Sequence, residues 1–136
     1  MRLLVLGPEA IVALSDPGHP HHREVLAFYE ANRPARRGNK DRRTVVPVSV
    51  RVAVGWDRTT SVAGPIDRLN LRDVVLDRAG ADRAADVRRR SGASPIDAAL
   101  GAALTGFPDD DVTVLTGDPE GVALLVGDAP VNIQAL

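Results

Sequence analysis

Short runs of apolar residues alternate along this chain with longer segments in which apolar residues recur at helical spacing. The short runs predict buried strands, and the helical segments between them predict the crossover connections of a mainly parallel sheet. This pattern is typical of an α/β domain. The predicted strands are Arg2 to Leu6, Thr44 to Pro47, Leu71 to Leu76, Val112 to Thr116 and Val131 to Ile133.

The segments between these strands carry helical periodicity and helix-start residues. Proline is favoured at the first helical position, so Pro20 is expected to begin the second helix. The segment from Ser94 is small and apolar on nearly every side, which predicts a buried helix. The predicted helices are Pro8 to Leu14, Pro20 to Asn32, Val48 to Trp56, Val62 to Leu69, Asp77 to Arg90, Ser94 to Thr105 and Pro119 to Val126.

Length and composition bound the possible classes of protein. A chain of 136 residues with 44% hydrophobic content is expected to form one domain over residues 1–136. The absence of cysteine excludes disulfides and thiolate metal sites, and it fits a reducing cytoplasm. The apolar stretches are too short for a membrane span, and the N-terminal run is too short for a secretory signal. A net charge of −1 means that any nucleic-acid contact must come from a local patch.

Acidic residues follow predicted strands at the places where an α/β sheet binds ligands. Glu9 follows the first strand, Asp97 lies at the start of the buried helix, and Asp118 follows the fourth strand. The carboxyl ends of parallel strands meet at one edge of a sheet, where loops and helix starts converge. Carboxylates are the ligands that Mg²⁺ prefers, and in nucleases such ions generate hydroxide and stabilise the phosphoryl transition state. These residues therefore predict a magnesium site.

The same residues also fit helix caps. Ser94 with Asp97 three residues later makes a near capping box, with Pro95 at the first helical position. Asp118 before Pro119 is an ordinary N-cap. A capped helix start also directs its amides at anions, so capping and ligand binding are compatible and both readings stay open.

Four segments in this order resemble the PIN-domain family, especially VapC-like toxins of toxin/antitoxin pairs. None of the four is specific alone, and together they span nearly the whole chain. The resemblance implies a three-layer α/β/α sandwich, Mg²⁺-dependent or Mn²⁺-dependent endoribonuclease activity, homodimers, and an antitoxin whose segment plugs the site. The segments are Leu3-Leu4-Val5-Leu6 with its turn, Val45-Val46-Pro47 leading into Val52 to Arg58, Ser94-Pro95-Ile96-Asp97-Ala98, and Val114-Leu115-Thr116-Gly117-Asp118-Pro119.

Carried over residue by residue, the resemblance gives only half of the family's acidic site. Asp97 and Asp118 match catalytic and metal-binding aspartates, whereas the family's first aspartate falls at Gly7 and its glutamate at Ala53. Affinity for a hard cation depends on the number and charge of its ligands. We therefore expect a degenerate active site with lost or much reduced ribonuclease activity, in a protein that acts by binding RNA or a protein partner. The alternative is an active endoribonuclease in which Glu9 joins the two aspartates.

The segment from Arg33 to Arg43 carries six basic residues against one aspartate, a local excess of about five positive charges. Such a segment offers salt-sensitive, sequence-independent attraction to phosphates. It could equally be a solvated loop or bind an acidic partner segment. The residues expected to contact nucleic acid or a partner are Arg36, Arg37, Lys40, Arg42 and Arg43.

Two further features have structural interpretations. His21 and His22 are adjacent and face different directions, so a helix start is favoured over a transition-metal site. Trp56, the only tryptophan, is interpreted as a core or dimer contact. A third functional class, an unrelated small α/β binding protein, has neither a glycine-rich phosphate loop nor a nucleophile motif to support it.

Overall fold

The computed structural model of the protein describes residues 1–35, 41–59 and 64–136, and within them five strands form one all-parallel sheet. The strand order is β3-β2-β1-β4-β5. The predicted α/β class with a parallel central sheet is therefore confirmed. The strands are β1 (Arg2–Leu6), β2 (Arg42–Pro47), β3 (Arg72–Val74), β4 (Asp111–Thr116) and β5 (Val131–Ala135).

The central strands read as continuous apolar runs because helices cover both faces of a parallel sheet. Residues Leu3 to Leu6 of β1 are all buried. β1 pairs with β4 in the register Leu3 with Val112 and Leu6 with Leu115, so the two strands end together. Glu9 follows β1 and Asp118 follows β4 at their shared carboxyl edge, whereas Asp97 lies in the first turn of α5.

Six α-helices flank the sheet in the described residues, with one short 3₁₀ helix at Gly64–Arg68. Helix α1 contacts α2 and α3, whereas α4 contacts α5 and α6. These two groups form the outer layers of a three-layer α/β/α sandwich, and α3 also contacts α5. The helices are α1 (Pro8–Ser15), α2 (His22–Ala31), α3 (Val48–Val54), α4 (Arg78–Ser91), α5 (Pro95–Leu104) and α6 (Pro119–Val126).

Most predicted boundaries shift by one or two residues, and three of the differences have a visible structural basis. Helix α2 begins at His22, because the backbone N–H of His22 donates to the carbonyl of His19 in a turn that contains Pro20. Strand β3 is shorter than predicted, since this edge strand pairs only with the last three residues of β2. The helix predicted from Val62 is a 3₁₀ helix where it is described, and Val62 itself lies outside the described residues.

Helix α5 is only partly as predicted. Its residues from Ala98 to Ala102 are buried, but its first turn faces solvent and leaves Ile96 38% exposed. Across the described residues, no helix is both long and apolar enough to cross a membrane.

Candidate functional site

The direction of chain progression reverses between β1 and β4. From β1 the chain moves outward to β2 and β3, and it then returns to add β4 and β5 on the other side. In open α/β sheets, ligands bind in the crevice beyond the carboxyl ends of the strands at such a reversal. Gly7 and Glu9 follow β1 there, and Asp118 follows β4.

Gly7 lies against the backbone of β4. Its N–H donates to the carbonyl of Leu115 at 3.0 Å, and a Cβ added to Gly7 would lie only 2.8 Å from that same oxygen. The backbone of Gly7 is extended (φ −77°, ψ 177°), a conformation that any residue adopts. Close approach of two backbones, and not a special dihedral angle, therefore favours glycine where the family's first aspartate is expected.

Glu9 is held by a histidine that follows α1. Its Oε1 lies 3.3 Å from Nε2 of His19, whose side chain is only 16% exposed. Nδ1 of His19 accepts the backbone N–H of His21 at 3.0 Å, so Nε2 is the nitrogen that carries the proton toward Glu9 in the neutral ring. The stem of Glu9 packs over Gly117, where an added Cβ would lie 3.1 Å from its Cγ. Oε1 of Glu9 thus faces Nε2 of His19, and its stem covers the residue that precedes Asp118 in the sequence.

The two aspartates lie at helix starts, where the sequence also predicted caps. Oδ1 of Asp118 accepts the N–H of Gly121 at 3.0 Å, and Ser94 Oγ accepts the N–H of Asp97 at 3.1 Å. The capping predictions are confirmed. Asp97 is exposed in the first turn of α5, and Ala53 is exposed on α3.

A hard cation such as Mg²⁺ needs several oxygen ligands arranged around one point. Of the three carboxylates, Glu9 is paired with His19, and Asp118 caps α6. Within the described residues, no three His, Asp or Glu side chains form a group that could hold a metal ion. The described residues therefore show no three-ligand cluster where the resemblance implies a magnesium site. Metal binding by Glu9, Asp97 and Asp118 stays a prediction.

Arg42 and Arg43, the described arginines at the end of the basic segment, lie at the opposite edge of the sheet. Arg42 begins β2 and is in register with Arg2 at the start of β1, whereas the acidic residues follow the strand ends. At about 3.3 Å per residue, the five residues of β1 separate the two edges by about 16 Å. Arg42 and Arg43 are half-buried. The other expected contact residues, Arg36, Arg37 and Lys40, lie outside the described residues.

Hydrogen bonds tie the described flanks of the basic segment to α2. Asn32, which is buried, donates through Nδ2 to the carbonyl of Arg43 at 3.0 Å, and Nη1 of Arg42 donates to the carbonyl of Ala31 at 3.2 Å. On the α2 side, a hydrogen bond with Glu30 raises the pKa of Arg33 above its usual value. The two described ends of the basic segment therefore carry guanidinium groups and are held against α2 by these hydrogen bonds.

Trp56 is the centre of a charged cluster between α3 and β3. The guanidinium carbons of Arg58 and Arg51 lie 4.2 and 5.5 Å from its ring centroid. Asp73 joins both arginines, at 3.0 Å from Nη2 of Arg58 and 2.7 Å from Nη1 of Arg51. Trp56 Nε1 also donates to Asp67 at 3.3 Å. The interpretation of Trp56 as a packing residue agrees with its contact with the core, and a dimer role stays a prediction.

The sequence predicted some histidine roles and missed another. His21 is the N-cap residue of α2 and His22 its first residue, so both lie at a helix entry as predicted, although the helix starts two residues after Pro20. The pairing of His19 with Glu9 was not predicted, because the two residues are ten apart and joined by a turn that has no helical or strand spacing. The arginine cluster on Trp56 was missed for the same reason, since Asp73 is distant in sequence.

Comparison with known proteins adds no family assignment. No protein-family model matches this chain, and no curated protein matches it.

Proposed function

We propose that this chain is a PIN-like protein of the VapC-like toxin type whose Mg²⁺-dependent endoribonuclease activity is lost or much reduced. In this proposal it acts by binding RNA or a protein partner without cleaving RNA. The absence of cysteine supports a cytoplasmic location. A homodimer and an antitoxin are the partners that the resemblance implies, and both stay proposals.

The observation that carries the proposal is the close approach of Gly7 to β4. An aspartate at Gly7 would force its Cβ to within 2.8 Å of the Leu115 carbonyl oxygen, which is a backbone atom that cannot rotate away. The first ligand is therefore absent, and the space that its side chain would need is also occupied. Glu9, the nearest replacement, already interacts with His19.

The separation of charges means that the basic segment and the carboxylates would contact different phosphates of an RNA. RNA held by the basic segment would lie at the amino edge of the sheet, about 16 Å from the carboxylates at the other edge. A phosphate bound by Arg42 and Arg43 would therefore not reach Asp97 or Asp118 without a second contact surface.

The alternative is an active Mg²⁺-dependent or Mn²⁺-dependent endoribonuclease that uses Asp97, Asp118 and Glu9. The packing of Glu9 over Gly117, next to Asp118, favours it. It requires each of Glu9 and Asp118 either to leave its present partner or to bind the cation through its second carboxylate oxygen.

Calorimetric titration with Mn²⁺ separates the two. The wild-type protein is compared with the Asp97→Asn/Asp118→Asn variant, which keeps the size of both side chains and their ability to cap. We expect no saturable heat at millimolar Mn²⁺ in either protein. Saturable binding that the double substitution abolishes would refute the proposal and support the enzyme, and contaminating ribonuclease cannot imitate that result.

Binding of a single-stranded RNA, followed by fluorescence anisotropy, tests the second half of the proposal. Neutralising five phosphates gives a slope of about −3.5 in a plot of log affinity against log salt. The Arg36→Gln/Arg37→Gln/Lys40→Gln variant is expected to reduce that slope by about 2. The matched control is Arg88→Gln/Arg89→Gln/Arg90→Gln in the last turn of α4, which also removes three charges and should leave the slope unchanged if the basic segment is the binding surface. Equal losses in both variants would show non-specific attraction.

A further inference from the structure

An apolar pocket of the described residues is lined by neither Glu9, Asp97 nor Asp118, and by no residue of the basic segment. It has a volume of about 380 Å³ and opens between the carboxyl ends of β2 and β3, α4 and α5. Large apolar side chains around it are exposed, with Val52 at 70%, Val75 at 75% and Leu76 at 44%. Pockets of this size and character typically bind small molecules.

A buried hydroxyl lines this pocket without a partner. Oγ of Ser49 is inaccessible to solvent and makes no hydrogen bond within the described residues. A buried polar group without a partner typically costs about 1–3 kcal/mol, so native proteins rarely leave one unused. Oγ has no accessible surface in the structure, so Ser49 offers a donor and an acceptor to a molecule in the pocket only when its side chain rotates about the Cα–Cβ bond.

A guanidinium group closes one part of the same pocket. Arg83 is half-buried, its Nε donates to the carbonyl of Ala102 at 3.3 Å, and it makes no ion pair within the described residues. Nη2 of Arg83 packs against two glycines of the pocket. A Cβ added to Gly106 would lie 2.7 Å from this Nη2, and one added to Gly80 would lie 3.6 Å from it. The other charged residue of the lining, Asp77, uses Oδ1 to cap α4. Arg83 is therefore a half-buried cation that is fixed through Nε, and its other N–H groups can donate hydrogen bonds to an anion.

We propose that this pocket binds a small amphipathic carboxylate, with its carboxylate on Arg83 and its hydrocarbon part along α5. Arginine pairs with carboxylates through two parallel hydrogen bonds. At roughly 30 Å³ for a water-sized group, the pocket holds about a dozen non-hydrogen atoms. The lining from Ile96 to Gly106 extends about 15 Å along α5 and past its end, which suits an extended chain. A medium-chain fatty acid has this size and chemistry.

The experiment titrates the full chain with sodium decanoate by calorimetry, with decanol as the uncharged probe of equal length. We expect saturable binding of one decanoate per chain, and weaker binding of decanol. Arg83→Gln removes the positive charge and should weaken decanoate binding about tenfold or more, without changing decanol binding. Arg78→Gln, on the same helix but outside the pocket lining, is the matched control and should have no effect.

A second variant keeps the proposal testable if Arg83→Gln unfolds. Ser49→Ala should weaken decanoate binding about threefold to tenfold, while the melting temperature of the free protein stays the same or rises because an unpaired hydroxyl is removed. Three results would overturn the proposal: no saturable decanoate binding at millimolar concentration, equal affinity for decanoate and decanol, or equal losses in the Arg83 and Arg78 variants. Sedimentation as a dimer that Ala103→Trp dissociates would also overturn it, since a second copy of the chain would then cover the pocket.

Discussion

Substitution of Gly7 by alanine tests the close approach of β1 and β4 at the centre of the sheet. The added Cβ would lie 2.8 Å from the carbonyl oxygen of Leu115, and both groups belong to backbones that are joined by the Gly7 hydrogen bond. Overpacking of this kind costs about 1–3 kcal/mol. The lower entropy of the unfolded alanine chain offsets about 0.4–1 kcal/mol of that cost. We expect a net loss of about 1–2 kcal/mol.

Thermal unfolding followed by circular dichroism measures this loss. For a chain of 136 residues, about 3.5 °C of melting temperature corresponds to 1 kcal/mol, so Gly7→Ala should melt about 3–7 °C below the wild type. Gly18→Ala is the matched control. Its Cβ would meet only the side chain of Asp16, at 3.3 Å, in an exposed turn, so its stability should change by less than about 0.5 kcal/mol. A Gly7→Ala protein as stable as wild type would refute the close-approach argument.

The same contact predicts the outcome of rebuilding the acidic site. Gly7→Asp/Ala53→Glu restores both carboxylates that the resemblance leads one to expect. The aspartate must first displace β4 from Gly7, so we expect lower stability than Gly7→Ala and no tight Mn²⁺ binding by calorimetry. A stable double variant that binds Mn²⁺ would show that the crevice can accommodate a metal and that only the side chains were missing.

Two charge contacts give further expected outcomes. Asp73→Asn should destabilise the protein by about 1 kcal/mol because it releases two arginines, and the loss should be smaller at high salt. The same substitution should change the fluorescence of Trp56. The control, Asp86→Asn, should leave that fluorescence unchanged. A hydrogen bond from Arg90 lowers the pKa of Asp86, so this contact stabilises the fold at neutral pH and the effect is lost as the pH falls through the folded-state pKa. Arg90→Ala should therefore raise the pKa of Asp86 in a carboxyl NMR titration, and Arg89→Ala, which removes a longer contact of 3.5 Å, should raise it less.

The amino-acid sequence by itself determined the α/β class, the five strands and most helices. Buried parallel strands require continuous apolar runs, and helix caps depend on residues three or four apart, so both leave a signal in local spacing. The caps at Ser94 and Asp118 were predicted for this reason. Helix α2 and strand β3 differ because a turn around Pro20 and pairing at the sheet edge decide where they begin and end.

Only the tertiary structure decided what surrounds the predicted site. Three contacts join residues whose separation in the sequence follows no helical or strand period. They are the approach of Gly7 to Leu115, the pairing of Glu9 with His19, and the packing of Arg83 against Gly106. The strand direction also separates Arg42 from Glu9 and Asp118. Arg42 lies where β2 begins, whereas the two acidic residues lie where the parallel strands β1 and β4 end. Local spacing of residue types determines strands, helices and caps. The distance between two backbones that meet across the sheet is fixed only when the whole chain packs.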